Sequence, residues 1–412
     1  TIARKLTLNF GLRFERLLGV IPAQRSPAGT YVPARQFNEI RDVPNFKNWS
    51  PRFGLAYDFT GRGRTVLKAS ASRYLQNIAM GLTANNLNPL ALLNVNRIWN
   101  DANGDQLPQP SEIAAGALPS ATLPRLAPGV DRPYSWEYSL GIQHELYKGI
   151  VFSASGWHRD WRQQLGRSNA AVSPSAYSPI NILRSDGVPL TFYNQDPTTR
   201  TLVDNVIGNH SALDSGYNGV DFIFTKRFAN RWQLLSAWTI GKEYGASRGD
   251  FVLGFDDLNN PNQNINRRGI VGDDTTHVFK LAGTVRLPWN FEFSGNFQHA
   301  TGYPLRRTYT VTANDRDAAT GVALGTRLTA SQTIDVVPRG QFRLPNVNLL
   351  DLRFSRIFKV GDRWSVQPTL DIYNIGNINT HTSQVQAIGA SLGQPGALIA
   401  PRLWKLGVKV DF

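Results

Sequence analysis

Cysteine is absent from these 412 residues and methionine occurs once, at Met80. Without thiols there is no disulfide framework, and no thiolate to hold a metal or act as a nucleophile. Long apolar runs are also missing. No stretch approaches the roughly 18 uninterrupted apolar residues that a spanning helix requires, so any membrane crossing must be made by strands. Residues Thr1 to Leu8 show neither an initiating methionine nor a charged segment followed by an apolar one. The expectation is a chain that begins inside a longer protein, without a signal peptide. Acidic residues are outnumbered, 30 Asp and Glu against 44 Lys and Arg, for a net charge of +14. The basic residues are scattered, with no basic helix or dense basic run, which argues against a nucleic-acid partner.

What the chain does have is alternation. From Lys5 to Glu15 the residues Leu6, Leu8, Phe10, Leu12 and Phe14 share one face, while Lys5, Thr7, Asn9, Gly11, Arg13 and Glu15 share the other. The pattern returns at Tyr134, Trp136, Tyr138, Leu140 and Ile142, and again at Trp404, Leu406, Val408, Val410 and Phe412. Period-two alternation marks a strand between two different solvents. Strands of a soluble sandwich usually run about 5 to 6 residues. Here many runs reach the roughly 9 to 11 needed to cross a bilayer at a tilt. About twelve such segments begin near Lys5, Trp49, Arg64, Tyr134, Gly149, Tyr217, Arg231, His277, Asn290, Asn346, Arg363 and Pro401. The expected fold is all-β: a transmembrane antiparallel up-and-down β-barrel wall in the bacterial outer membrane. The third segment is irregular, because its register puts Arg73 on the apolar face.

The connections alternate as well. Short turns at Thr60 to Gly63, Tyr147 to Gly149, Ala229 to Asn230, Pro288 to Asn290 and Val360 to Asp362 separate long loops at 75–133, 162–216, 245–275, 302–345 and 376–400. Outer-membrane barrels place short turns in the periplasm and long loops outside. Tyr147, Trp232, Trp289 and Trp364 sit beside short turns, where amphipathic rings lie at the headgroup boundary. The expected surroundings are outer-membrane lipid and lipopolysaccharide, whose phosphates suit the basic loops.

Three stretches carry a family likeness: Asn48-Trp-Ser-Pro-Arg-Phe-Gly-Leu-Ala-Tyr-Asp-Phe-Thr-Gly, Tyr217-Asn-Gly-Val-Asp-Phe-Ile-Phe-Thr-Lys-Arg-Phe and Asp371-Ile-Tyr-Asn-Ile-Gly-Asn-Ile-Asn. With the terminal Trp404 to Phe412 they resemble the TonB-dependent receptors, especially the Oar-like members. The resemblance implies that this is the C-terminal portion of a barrel of about 22 strands filled by a plug. It also implies energy from a TonB complex engaged through a missing N-terminal region, and insertion by the barrel-assembly machinery reading the strand that ends at Phe412. Function would then be uptake of an unidentified solute. The competing readings are a structural, adhesive or autotransporter-like barrel and, third, an outer-membrane hydrolase.

No nucleophile motif supports the hydrolase. The six His residues, among them His144, His158, His277, His299 and His381, stand outside any recognisable catalytic pattern and read as polar lumen or interface groups. Asp273 and Asp274 form a paired carboxylate in a loop, read as solvated charge. One motif has a specific chemical reading. With Asp101 as its first position, the loop places Asn103 third, Asp105 fifth, the Leu107 carbonyl seventh and Glu112 twelfth, the ligand spacing of an EF-hand-type calcium loop. Gln106 stands where glycine normally makes the sharp turn, Gly104 leaves a modified turn open, and Pro108 and Pro110 discourage a flanking helix. Calcium at residues 101–112 is the candidate cofactor, with a polar Asn/Asp/Gly turn as the plain reading of the same residues.

Overall fold

The alternation becomes a single wall. A computed structural model describes residues 5–29, 32–78, 82, 86–92, 98–113, 124–246, 257–272, 274–361 and 363–412. Strand β1 is Leu6–Leu18, β2 Asn45–Asp58, β3 Thr65–Leu75 and β4 Tyr134–Tyr147. Next come β5 Ile150–Arg162, β6 Ser215–Ala229, β7 Trp232–Gly245 and β8 His277–Arg286. The last four are β9 Phe291–Ala300, β10 Val347–Arg356, β11 Trp364–Tyr373 and β12 Leu403–Asp411. Each pairs antiparallel with its neighbour in sequence, and the short segments Gly269–Ile270 and Phe358–Val360 complete a 14-stranded sheet. The twelve long strands match the twelve alternating segments. Among the described residues β1 pairs only with β2, and β12 only with β11.

Register fixes the faces. Phe10 lies opposite Phe53, Leu140 opposite Gly156, and Leu406 opposite Leu370. These apolar residues have no core behind them: Phe10 is 77% exposed and Leu406 82%. In water such a face would be a large aggregation-prone patch, whereas in hydrocarbon it is solvated. Cross-strand rings strengthen it, with Phe14 and Trp49 centroids 4.8 Å apart and Phe293 and Phe354 4.9 Å apart. Arg73 does lie on this face. Its guanidinium sits 4.0 Å from the Tyr134 ring centroid and donates to the Trp49 carbonyl at 3.2 Å. It sits near the loop end of β3, where an aromatic and a carbonyl replace part of its hydration.

The opposite face is a polar ladder. Ser70 meets Ser139 at 2.7 Å, Thr239 donates to Asp221 at 2.7 Å, and Thr284 meets Ser294 at 2.9 Å. Glycines make room where a ring lies flat on this face. Gly219 and Gly241 are register partners, and a Cβ on either would fall within 2.3 Å of the Tyr217 hydroxyl.

The buried core is in the loops rather than the wall. All five short turns fall at one end of the strands and the long connections at the other. The long connections fold into small sheets, such as Tyr177–Leu183 with Pro189–Gln195, and Thr308–Val311 with Gln332–Asp335. One apolar cluster joins Ile21, Phe46, Ile78, Leu82, Leu165 and Ile207. A second joins Ile182, Phe192, Tyr309, Val311, Leu324 and Ile334. Residues from distant loops converge in each, so the loops form an ordered cap.

Candidate functional site

The calcium-type loop hangs between β3 and β4, closed by an antiparallel bridge between Trp99 and Ile113 and by the Asn100 amide donating to the Glu112 carbonyl at 3.0 Å. Within it, Asp101 accepts from the amides of Gly104 at 2.8 Å and Gln106 at 3.0 Å. Asp105 accepts from the Leu107 amide at 2.8 Å and the Gln109 side chain at 2.6 Å. Asn103 accepts from the Asp105 amide at 3.0 Å and donates to the Asp105 carboxylate at 3.1 Å. Glu112 is 8% exposed and accepts from the Trp99 indole and the Ala102 amide, both at 3.2 Å. One ligand oxygen from each of Asp101, Asp105 and Glu112 lies within 4.8 Å of the others. That separation is about twice a calcium–oxygen bond of roughly 2.4 Å.

The turn is made despite the missing glycine. Gln106 itself takes φ of 59°, and Gly104 takes 74°. Among the described residues no Lys or Arg forms an ion pair with Asp101, Asp105 or Glu112. Three hard oxygen donors of like charge, held together and unbalanced by a protein cation, fit a divalent ion.

The lumen-facing side of β10 to β12 carries a charged row. Arg353 lies opposite Asp371 and binds its carboxylate through two nitrogens, Nη2 at 3.0 Å, and Lys405 lies opposite Asp371 on the other side. At the loop end, Arg132 is nearly buried and reaches Glu15 at 2.8 Å and the Gln76 carbonyl at 2.6 Å, tying β1 to the entry of β4.

Four of the histidines take structural partners. His158 meets Asn218 and His299 meets Asn348, each at 2.7 Å, on the outward face near the loop end. His144 meets Thr65 at 2.8 Å and His381 meets Gln384 at 3.1 Å. Asp273 lies outside the described residues. Asp274 accepts from Arg343 at 2.6 Å and from the Glu243 amide at 2.6 Å, so it anchors a loop rather than standing free as a solvated carboxylate. Sequence reading missed a second ion cluster, Asp335 with Arg306 and Arg339, because its members come together only through loop packing.

Comparison with known proteins places this architecture. The solved siderophore receptor PiuA of Acinetobacter baumannii superposes with a TM-score of 0.51 at 12% identity, covering 100% of this chain and 41% of the receptor. The ferripyoverdine receptor of Pseudomonas aeruginosa gives a TM-score of 0.52 at 10% identity, covering 100% of this chain and 37% of the receptor. The chain thus spans about two fifths of the length of these receptors, and the likeness is one of fold. No curated protein sequence matches. The family model described as an outer membrane beta barrel domain matches residues 1–401. With that match over the wall and cap just described, the chain belongs to the outer-membrane β-barrel family and resides in the outer membrane.

Proposed function

We propose that this chain is the wall and outer cap of an Oar-like TonB-dependent receptor that imports a scarce solute. The observation that carries the reading is the division of labour in the fold. One face of the wall suits lipid and the other is polar, while a folded cap gathers at one end. A purely structural barrel has no need for a polar lumen lined with charged rows such as Arg353, Asp371 and Lys405. In this reading the cap is extracellular and the short turns are periplasmic. Outward Arg16 and Lys47, directly opposed at the cap end of β1 and β2, then face lipopolysaccharide phosphate. The open edges of β1 and β12 pair with further strands of a barrel of about 22, because unpaired backbone is not tolerated in hydrocarbon. The strand ending at Phe412 meets the barrel-assembly machinery. The test compares metabolite uptake in cells with and without the protein, then in cells lacking the energy-coupling complex. Uptake that needs the protein but survives loss of that complex refutes the reading.

Calcium at residues 101–112 is the second part of the reading, favoured by the convergence of Asp101, Asp105 and Glu112. An extracellular loop can use an affinity of about 10⁻⁴ to 10⁻³ M. The ion would neutralise the three carboxylates and stiffen the loop. Because the Trp99 indole donates to Glu112, calcium capture should change Trp99 emission. The expected signal is a saturable change lost in Asp101→Ala and Glu112→Ala and absent from Trp99→Phe. Equal calcium binding by the wild type and both acid variants removes the site.

A further inference from the structure

A pocket of about 290 Å³ opens in the cap between the loop after β9 and the loop before β12. Its described lining includes Tyr303, Leu305, Arg306, Arg339, Thr382 and Ser383, and among the described residues none of its walls is acidic. We propose that this pocket binds an oxyanion, a carboxylate or phosphate group carried by the imported solute. The proposal rests on the uptake reading for what the anion is attached to.

The charge count is the first argument. Asp335, buried behind the pocket, accepts from Arg306 Nε at 2.8 Å and from Arg339 Nε and Nη2, both at 3.3 Å. Two guanidinium groups share one carboxylate, which leaves one positive charge over. Burial, and then the charge of Arg306, push the Arg339 proton affinity down. A half-buried cation held beside another is a costly arrangement unless an anion joins it.

Donor geometry is the second. Arg339 Nη1 is taken by the Ala246 carbonyl at 3.0 Å. Arg306 engages Asp335 through Nε alone, and its two terminal nitrogens make no hydrogen bond among the described residues. A guanidinium with a free pair of donors matches the two oxygens of a carboxylate or phosphate. Thr382 and Ser383, from the loop before β12, also line the pocket.

The arms are also preorganised. The Arg306 amide donates to the Gln386 side chain at 2.6 Å, pinning the two loops together. Ile270 donates to the Arg339 carbonyl at 3.0 Å, and a Cβ at Gly269 would fall 2.4 Å from that oxygen, so only glycine lets the segments approach this closely. Rigid donors lose less on binding. A purely structural role for the cluster predicts the opposite response to removal of Asp335, which makes the two readings separable.

The full-length protein in detergent is titrated with inorganic phosphate, followed by phosphorus NMR line broadening, and with succinate, followed by saturation-transfer NMR. Heat-modifiable gel mobility checks that each variant is folded. Saturable binding of either probe at millimolar concentration is expected. Arg306→Gln should weaken it about tenfold or more, the loss of a charge-assisted pair of bonds. Asp335→Asn should tighten it several-fold by releasing both guanidiniums, and Arg306→Lys, which keeps charge but not the fork, should fall between. If the wild type broadens neither probe, or if folded Arg306→Gln binds like wild type, the proposal fails. The uptake reading stands or falls separately on the energy-coupling deletion. If lipopolysaccharide displaces succinate from the delipidated protein, lipid phosphate is the ligand and the solute assignment fails.

Discussion

Phe412 lays its ring against Trp364, centroids 5.4 Å apart and planes tilted by 32°. The two residues end neighbouring strands at the short-turn end of the wall, one residue beyond the last pairs of the β11–β12 ladder. Aromatic pairs of this kind contribute about 0.5–1.5 kcal/mol beyond simple burial. A double-mutant cycle with Trp364→Ala and Phe412→Ala, read by denaturant unfolding of the refolded protein in micelles, should return a coupling in that range. Strict additivity of the two losses would show that the rings meet without interacting.

Gly302 gives a sharper backbone prediction. A Cβ there would fall 1.8 Å from the Leu344 carbonyl oxygen, at the point where the chain leaves β9 for the cap. The Gly302 carbonyl also accepts from Arg343 at 3.0 Å. Gly302→Ala must therefore separate two backbone segments rather than rotate a side chain, at a cost of about 1–3 kcal/mol or more. Limited proteolysis should show new cleavage in residues 301–346 while the wall strands stay protected. An unchanged digestion pattern contradicts the close approach.

How much of this was legible beforehand follows from what each feature depends on. The wall was legible because alternation is local: Leu6 to Phe14 declare their face without knowing their partners. The convergence of Asp101, Asp105 and Glu112 was legible for the same reason, the three lying within twelve positions of one another. Nothing local announces that Ile78 packs with Ile207, or that Arg306 and Arg339 converge on Asp335. Those meetings depend on how loops far apart in sequence fold over one another. The start of β2 at Asn45, ahead of the expected Trp49, is a smaller case: β1 runs on to Leu18 and supplies a partner for each added residue.

His210 should make the cap sensitive to acid. It lies in the loop between β5 and β6, bonded to Ser168 at 3.3 Å, and burial, with a smaller push from the Arg267 charge, lowers its proton affinity below the usual histidine value. The unfolded loop binds a proton more readily than the folded one. Stability is therefore full well above pH ~6.5, begins to fall as pH drops through that unfolded value, and stops falling below the depressed folded value. Amide exchange in residues 165–169 and 205–209 should quicken as pH is lowered through this window, after correction for intrinsic rates. His210→Gln should flatten the dependence. A wild-type profile as flat as that of the variant would remove His210 as its source.

The Arg353–Asp371 pair predicts an asymmetry between its two halves. The Asp371 side chain is 5% exposed, whereas that of Arg353 is 51% exposed, so the two would be left in different solvents if their partner were removed. Arg353→Met leaves a buried carboxylate whose remaining cationic neighbour in register is Lys405. Leaving a buried charge without its partner costs about 3–5 kcal/mol, and the lower end of that range applies because Lys405 still offsets part of it. Asp371→Asn leaves a guanidinium that water can reach and an amide that still accepts one of its bonds, so the loss should stay under about 1 kcal/mol. Denaturant midpoints of the two variants, measured at one salt concentration, test the order. Raising the salt should change the gap little, since the sensitive group is the buried one. Equal losses, or a larger loss for Asp371→Asn, would mean that the carboxylate is as well solvated in the lumen as its partner and that the charged row contributes little to the wall.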